Sequence, residues 1–267
     1  MSSIDTELIV NKNRYIIACS GKATRWNNYL NSNKHLIKIG NETLLDRTIR
    51  LINKFDSNCE ICIFAFDEEY KRDETLLCKP TLLPREEHSK YPAIFMTREF
   101  WNPTGNTIVL FGDVFYTTNS MKIIYENKNK LNFFGRENGS AITGKTYGEL
   151  FAISFNKYDQ TPILHYLKIL ELKFKTNKIN RFVTWELYKI INNIKLTDHK
   201  IKNHFIEIND FTDDFDLPID YDIWYKNLNN YLRPKIKQQI MNENSNTNVN
   251  ILDSCFENQF ILLITDM

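Results

Sequence analysis

The fold of this 267-residue chain is decided by one stretch, Tyr15-Ile16-Ile17-Ala18-Cys19-Ser20-Gly21-Lys22-Ala23-Thr24-Arg25. Its first five residues are apolar and predict a buried β-strand, and a loop of small residues follows. Such a loop at the C-terminal end of a first strand receives phosphates in α/β sheets, because its backbone N–H groups are free and a helix N-terminus lies close. Arg25, and Lys34 nine residues later, add two cations. The stretch therefore predicts a polyphosphate site and nucleotide chemistry.

Working outward, apolar runs alternate with helix-like segments, which is typical of a mostly parallel sheet. A short extended piece at 35–39 is closed by a turn at Gly40-Asn41. Thr43 is predicted to cap the first helix, and Pro218 to lie in the first turn of the last. Further strands are predicted at 59–66, 107–111, 131–135, 148–155 and 204–208, and helices at 43–55, 119–128, 162–174, 183–194 and 218–231.

A long polar region at 67–106 separates two of these strands, and connections of that length are usually functional lids or insertions. We therefore predict one domain over 1–237 with an insertion near 67–106. A C-terminal extension over 238–267 is polar and Asn-rich until an apolar run at 260–264. The sequence leaves open whether that end packs on the domain or pairs as an edge strand.

The composition excludes several classes of protein. Thirty-four basic and 33 acidic residues give a net charge of +1, which argues against electrostatic binding of a nucleic-acid backbone. No apolar run approaches the length of a membrane span, and the first residues lack the features of a signal peptide. Five cysteines, an odd number, predict a reduced, cytoplasmic protein. Cys59 and Cys62 form a C-x-x-C, but they lie in a buried-strand pattern without a second pair, so no redox or zinc role is assigned.

Carboxylates follow two later strands. Gly112-Asp113 ends the strand at 107–111, and Asp213, Asp214 and Asp216 follow the strand at 204–208. Because strand ends of a parallel sheet open onto the ligand crevice, these acids are candidate Mg²⁺ ligands. Each has a plainer interpretation, since Asp113 suits a helix cap and the later acids suit a helix start.

Taken together, these groups match the needs of metal-assisted nucleotidyl transfer. Mg²⁺ takes one or two carboxylates plus substrate phosphates, and Arg and Lys neutralise charge that moves onto departing pyrophosphate. A phosphate acceptor is already ionised at neutral pH and needs no general base. Positioning two anions that repel each other is then the main catalytic task.

The order of these motifs resembles the nucleotidyltransferase superfamily, which includes sugar-phosphate nucleotidylyltransferases, cytidylyltransferases and molybdenum-cofactor guanylyltransferases. The family pattern is a strand, a G-x-G-T-R loop, a P-K-x-L step and a G-D metal ligand. The matching positions are Ala18 to Arg25, Lys34-His35-Leu36 and Gly112-Asp113, and the similarity extends from Tyr15 to about Tyr231. It implies a three-layer α/β/α sandwich around a mixed, mostly parallel sheet, like that of nucleotide-diphospho-sugar transferases.

The resemblance also implies roles. Arg25 would hold the β- and γ-phosphates and Lys34 the α-phosphate, both acting in catalysis. Asp113 would bind Mg²⁺, with Asp214 or Asp216 completing the site. Glu149 would reach the acceptor, although a solvated carboxylate is an equally ordinary interpretation. The nucleotide would be bound by these two cations together with Ala18, Cys19, Ser20, Gly21, Lys22, Ala23, Thr24 and Gly112.

The implied reaction moves an NMP from an NTP to a phosphorylated small molecule and releases pyrophosphate. The closest similarity is to cytidylyltransferases and surface-polysaccharide enzymes, so CTP is favoured weakly. The acceptor would be a sugar phosphate, phosphocholine or a phosphorylated amino acid such as phosphoglutamine. The 67–106 insertion and the 135–148 loop, with Arg136, Ser140 and Lys145, would form its walls. Arg136 suits a phosphate, though a solvated hairpin arginine is about as frequent.

Two positions depart from the family pattern. Ala23 stands where the second glycine is expected, which costs roughly 1 kcal/mol if the backbone there needs positive φ. Asn33 replaces the proline before Lys34. Two other functions therefore stay open: a glycosyltransferase that uses a nucleotide-sugar, with Asp214-Phe215-Asp216 as its metal motif, and a non-catalytic nucleotide-binding module.

Overall fold

The computed structural model of the chain describes residues 12–21 and 23–243, with side chains as far as 235. Lys22 and most of the predicted C-terminal extension, including the apolar run at 260–264, lie outside the described residues. The strands are β1 Arg14–Ala18, β2 Lys38–Ile39, β3 Glu42–Thr43, β4 Glu60–Phe64, β5 Leu76–Cys78, β6 Asn106–Phe111, β7 Val114–Phe115, β8 Asn132–Arg136, β9 Glu149–Asn156, β10 Phe205–Glu207 and β11 Asp213–Asp214. The helices are α1 Leu44–Phe55, α2 Ala93–Met96, α3 Thr118–Glu126, α4 Gln160–Lys175, α5 Thr184–Ile191 and α6 Pro218–Glu243.

Seven strands form the main sheet in the order β10-β8-β9-β6-β1-β4-β5. All neighbouring pairs are parallel except the two made by β9, which confirms a mixed, mostly parallel sheet. The register aligns Ala18 with Phe64 of β4 and with Phe111 of β6. The carboxyl ends of these three central strands therefore share one edge of the sheet.

Helices cover both faces of the sheet, as the α/β/α sandwich requires. On β1, Tyr15 and Ile17 pack with residues of α1 and α3 in one core. Ile16, which points to the other face, packs in a second core with α2, α4 and α5. The alternation along a single strand thus separates two apolar layers.

Local signals set the first helix and the turn before it. The Thr43 side chain accepts a hydrogen bond from the Asp46 backbone N–H at 3.1 Å and caps α1, as predicted. Gly40 takes a φ of 65° in the β2–β3 hairpin, a conformation that glycine adopts without strain. The predicted extended piece at 35–39 is partly wrong, because Lys34–Leu36 is a turn of 3₁₀-helix.

Two other segments differ from the sequence prediction. The 67–106 region carries strand β5 and helix α2, whose Ile94 and Phe95 are buried in the second core. Because the region is mostly polar, its sequence did not predict that it would add a strand to the sheet and buried side chains to the core. The final helix, α6, extends to Glu243, so the predicted boundary at 237 falls inside it. Trp224 and Leu228 of α6 pack against Trp26 in a third apolar cluster.

The cysteines of the described residues are free thiols. Cys62 is buried within β4, and Cys59 precedes that strand. The C-x-x-C spacing therefore reflects a strand, as predicted. None of the helices in the described part of the chain has the length and apolar character needed to cross a membrane.

Candidate active site

The first loop begins where three strands end together. The Gly112 N–H donates to the Ala18 carbonyl at 3.1 Å, and the Cys19 N–H donates to the Phe64 carbonyl at 2.9 Å. A Cβ at position 112 would lie 2.5 Å from Cys19 Sγ and 2.7 Å from the Ala18 carbonyl oxygen. Glycine is therefore required at position 112. The close approach of its backbone to Ala18 sets the position of the Asp113 backbone beside the first loop.

Alanine at position 23, where the family pattern has glycine, adopts its backbone conformation without strain. Positive φ values in this part of the chain occur later, at Asn27, Asn28, Leu30 and Asn31, and Ala23 is not among them. Asparagine tolerates the left-handed region better than most residues. The predicted cost of about 1 kcal/mol for alanine in that conformation therefore does not apply.

Charged groups from four separate segments meet at the carboxyl edge of the sheet. The Lys34 ammonium donates a short hydrogen bond to Asp113 and lies 3.5 Å from Asp216 Oδ1. Arg25 Nη2 lies 3.0 Å from Asp216 Oδ2. The two predicted cations and two of the predicted metal ligands are thus brought together, although about 190 residues separate Arg25 from Asp216.

The surroundings keep these groups ionised. Burial opposes the charge on Lys34, but Asp113 and Asp216 outweigh it and raise the pKa of Lys34 above its ordinary value. Burial likewise opposes the charge on Asp113, yet Lys34 holds the pKa of Asp113 below its ordinary value. The pair is therefore charged throughout the neutral range.

A second charged cluster surrounds Lys145, which sequence reasoning named only as part of a loop wall. Its ammonium lies 2.5 Å from Asp214 Oδ1, 3.5 Å from Glu149 and 3.8 Å from Asp220. Burial raises the pKa of Asp214 to about 7 and the pKa of Glu149 to about 9, although Lys145 lowers both. The neighbouring Asp214 carboxylate adds to the raised pKa of Glu149, and Asp113 and Asp216 add to that of Asp214. No sequence motif marks Lys145, and only the folded loop brings it to these acids.

The donor set fits a magnesium ion held partly by substrate. Asp113 and Asp216 both lie near the Lys34 ammonium, with about a quarter of each side chain exposed. Among residues 12–21 and 23–243, no three acidic, His or Cys side chains are close enough to form a ready-made metal cage. Mg²⁺ commonly uses only one or two carboxylates plus phosphates, so these two oxygen donors suffice. Asp214, the third predicted ligand, accepts a hydrogen bond from Lys145 at 2.5 Å, and its role as a ligand stays a prediction.

Arg136 lines neither of the two cavities described below, and its contact with the acceptor phosphate stays a prediction. Its side chain is buried, with Nη1 3.2 Å from Asp213 Oδ2 and Nη2 donating to the Thr212 carbonyl at 2.6 Å. Asp213 is fully buried and also accepts from Ser140 and Thr143. The sequence could not separate this role from a phosphate contact, because both need a guanidinium.

The charged centre lies between two cavities that meet at Asp216, joined by a smaller hollow that Glu149 and Asp214 line. One cavity of about 320 Å³ is bounded by the first loop and by segment 88–96, and includes Ser20, Gly21 and Lys34. The other, of about 660 Å³, is bounded by 137–149 and 181–199, and includes Arg25 and Trp185. The 67–106 region thus borders the first loop, and its role as an acceptor wall stays a prediction.

Comparison with solved structures identifies the architecture. CTP:phosphocholine cytidylyltransferase from Streptococcus pneumoniae superposes with a TM-score of 0.51 and 12% sequence identity, over 79% of this chain and 96% of the other. The chain has the nucleotidyltransferase fold. The inositol-1-phosphate CTP transferase from T. maritima gives the same TM-score and identity, over 81% of this chain and 96% of that one. No protein-family model matches the sequence, and no curated protein does either.

Proposed function

We propose that this chain is a Mg²⁺-dependent nucleotidyltransferase that moves an NMP, with CMP favoured, from an NTP to a phosphorylated small molecule. The observation that carries the proposal is the meeting of Arg25 and Lys34 with Asp113 and Asp216 at the carboxyl edge of the central parallel strands. This edge is where open α/β sheets bind their ligands. Cations beside carboxylates at one point suit a polyphosphate and its metal ion.

The two cavities suit the two substrates of such a reaction. The cavity at the first loop would hold the nucleotide, because Gly21 and Lys34 line it with backbone and cationic groups. The larger cavity would hold the acceptor, and Glu149 and Trp185 line it. Their junction at Asp216 would bring the acceptor phosphate to the α-phosphate, so that holding two repelling anions in line is the chief contribution of the protein.

Asp113 and Asp216 would hold the magnesium ion. When bound, Mg²⁺ supplies charge stabilisation to the triphosphate and to the departing pyrophosphate. Lys34 is positioned to move its ammonium from the two carboxylates to a phosphate oxygen, since it already lies between them. Arg25, with 63% of its side chain exposed, would close over the outer phosphates.

The acceptor is proposed to be a phosphomonoester: a sugar phosphate, phosphocholine or a phosphorylated amino acid such as phosphoglutamine. This chemistry would serve surface-polysaccharide precursors and place the protein in the cytoplasm. Phosphocholine enters the panel of candidates with support from the S. pneumoniae enzyme, which shares the fold. The glycosyltransferase alternative is disfavoured, because the two carboxylates of Asp214-Phe215-Asp216 face different cations: Asp214 contacts Lys145, whereas Asp216 contacts Arg25 and Lys34.

The test is pyrophosphate release. Each NTP is incubated with Mg²⁺ and, in turn, phosphocholine, a hexose 1-phosphate or phosphoglutamine. We expect release only when NTP and phosphorylated acceptor are both present. Hydrolysis of a nucleotide-sugar without pyrophosphate would instead support a glycosyltransferase, and nucleotide binding without any turnover would support a binding module.

Asp113→Asn provides the matched variant, with Asp73→Asn as its control, because Asp73 is exposed and distant in sequence from every charged group of the site. We expect Asp113→Asn to lower turnover by roughly 100-fold or more, as losing one electrostatic group typically does, while its circular dichroism stays unchanged. Asp73→Asn should be as active as the unmodified protein. Unchanged turnover in Asp113→Asn would remove Asp113 from the mechanism.

A further inference from the structure

A buried histidine of the 67–106 region is hydrogen-bonded to the first loop. His88 Nδ1 lies 2.9 Å from Ser20 Oγ, and His88 Nε2 lies 3.1 Å from the Leu83 carbonyl oxygen. Both His88 and Ser20 line the cavity of about 320 Å³. Sequence reasoning did not single out His88, because no motif surrounds it.

These two contacts fix the positions of the protons. A carbonyl oxygen can only accept, so Nε2 carries the proton and donates it to Leu83. In a neutral imidazole the other nitrogen is then an acceptor, and the Ser20 hydroxyl must donate to it. Ser20 Oγ is left with lone pairs alone to offer to a ligand.

The surroundings keep the His88 ring neutral. It is 4% exposed and packs against Phe64 and Phe66, with ring centroids 6.0 and 4.7 Å away. Burial lowers the pKa of His88, and the nearby Arg85 lowers it further, although the contact with Leu83 opposes the shift. No acidic side chain contacts the ring in the described residues, so no carboxylate there stabilises an imidazolium.

The cavity has both charged and apolar lining residues. Lys34 and Asp113 are the charged groups that would hold the triphosphate. Ser20 and His88 share the cavity with Tyr91 and Met96, side chains suited to a flat heterocycle. A nucleotide bound in this cavity with its phosphates at Lys34 would have the Ser20 hydroxyl, Tyr91 and Met96 available to its base.

We propose that Ser20, with its proton held by His88, presents a hydrogen-bond acceptor to the nucleobase and selects cytosine over uracil. Cytosine carries an amino donor where uracil carries a carbonyl oxygen, and two acceptors that face each other leave both unpaired. The inference rests on the proposed function for the identity of the ligand class. His88 is a positioning residue here, since it acts through Ser20.

The experiment measures binding of CTP and of UTP by calorimetry, with Mg²⁺ and without acceptor, beside pyrophosphate release from each. One mismatched hydrogen bond of this kind corresponds to about a tenfold difference in Kd or more. We expect the unmodified protein to bind CTP about tenfold more tightly than UTP. In Ser20→Ala the ratio should fall to near one, mainly through weaker CTP binding, while Ser20→Thr, which keeps the hydroxyl, should retain most of the preference.

His88→Phe separates the proton argument from simple packing. Phenylalanine preserves the ring between Phe64 and Phe66 but removes the acceptor for Ser20, so the hydroxyl is free to donate to uracil. We expect UTP binding to strengthen severalfold in His88→Phe, a change that a merely structural role for His88 would not produce.

Several outcomes would overturn the inference. Equal or tighter binding of UTP by the unmodified protein, or a preference for CTP that survives in Ser20→Ala, would each do so. These results are distinguishable from failure of the proposed function. If pyrophosphate is released equally from CTP and UTP, the transferase proposal stands and the selection by Ser20 falls. If CTP is preferred in binding but no acceptor gives pyrophosphate, the selection by Ser20 stands and the transferase proposal falls.

Discussion

Replacement of Arg136 by methionine tests whether this side chain supports the fold through Asp213 or contacts the phosphorylated acceptor. The Arg136 side chain is 7% exposed and its partner Asp213 is fully buried, with Nη1 3.2 Å from Oδ2. Methionine keeps the length and the apolar stem but removes the guanidinium. Asp213 then stays buried with hydroxyl donors from Ser140 and Thr143, and the Thr212 carbonyl loses its donor.

The magnitude follows from these contacts. Breaking a buried ion pair by removing one partner costs about 3–5 kcal/mol. Asp213 retains three donors, namely Ser140, Thr143 and the Asp214 backbone N–H, so we expect the lower end, about 3 kcal/mol. For a chain of this size that corresponds to a fall in Tm of about 6 °C.

The assay is urea unfolding followed by circular dichroism, with Arg136→Lys as the matched control. Lysine keeps the charge but cannot supply the planar fork, so its loss should be intermediate. Because the two groups contact each other, Arg136→Met combined with Asp213→Asn should cost less than the sum of the single changes. The KM for the phosphorylated acceptor should not change in Arg136→Met. An unchanged unfolding midpoint together with a strongly raised KM would refute the structural role and restore the predicted contact with substrate.

Three further predictions concern the site itself. Lys34→Ala should reduce turnover by roughly 100-fold. It should also lower the free energy of unfolding by about 1–2 kcal/mol, less than the loss of a fully buried ion pair, because Asp113 is partly exposed. Turnover and urea unfolding are measured on the same variant, and an unchanged rate would contradict the role of Lys34 in catalysis. Gly112→Ala should cost several kcal/mol in urea unfolding, since its Cβ would meet the Ala18 carbonyl oxygen at 2.7 Å; a loss below about 0.5 kcal/mol, the usual range of neutral surface changes, would show that the strands can separate there. The pKa of Glu149 in the folded protein is raised to about 9, so protonated Glu149 stabilises the fold, fully so at pH values below its pKa in the unfolded chain. As the pH rises from there to about 9, the free energy of unfolding falls by at most about 1.4 kcal/mol per pH unit. In Glu149→Gln the unfolding free energy should fall less steeply over that range, and equal slopes would exclude Glu149 as the titrating group.

The sequence by itself determined the central strands of the sheet, the first loop and the main charged groups of the candidate site. The apolar run of β1, the small residues after it and the Gly112-Asp113 step each depend on local chemistry: burial of a strand, close approach of backbone, and a carboxylate at a strand end. Thr43 was predictable as a helix cap for the same reason, since capping involves only residues three positions apart. Such signals lie within a few residues of each other and can be read without a fold.

Only the tertiary structure decided which charges face which. The sequence offered three aspartates near β11 without distinguishing them, and the fold assigned Asp213 to Arg136, Asp214 to Lys145 and Asp216 to the candidate site. A guanidinium or an ammonium is compatible with phosphate and with carboxylate alike, so the choice depends on burial and on partners distant in the chain. The contact of His88 also depends on the tertiary structure, because packing brings its ring to the Ser20 hydroxyl and no local sequence pattern indicates this partner.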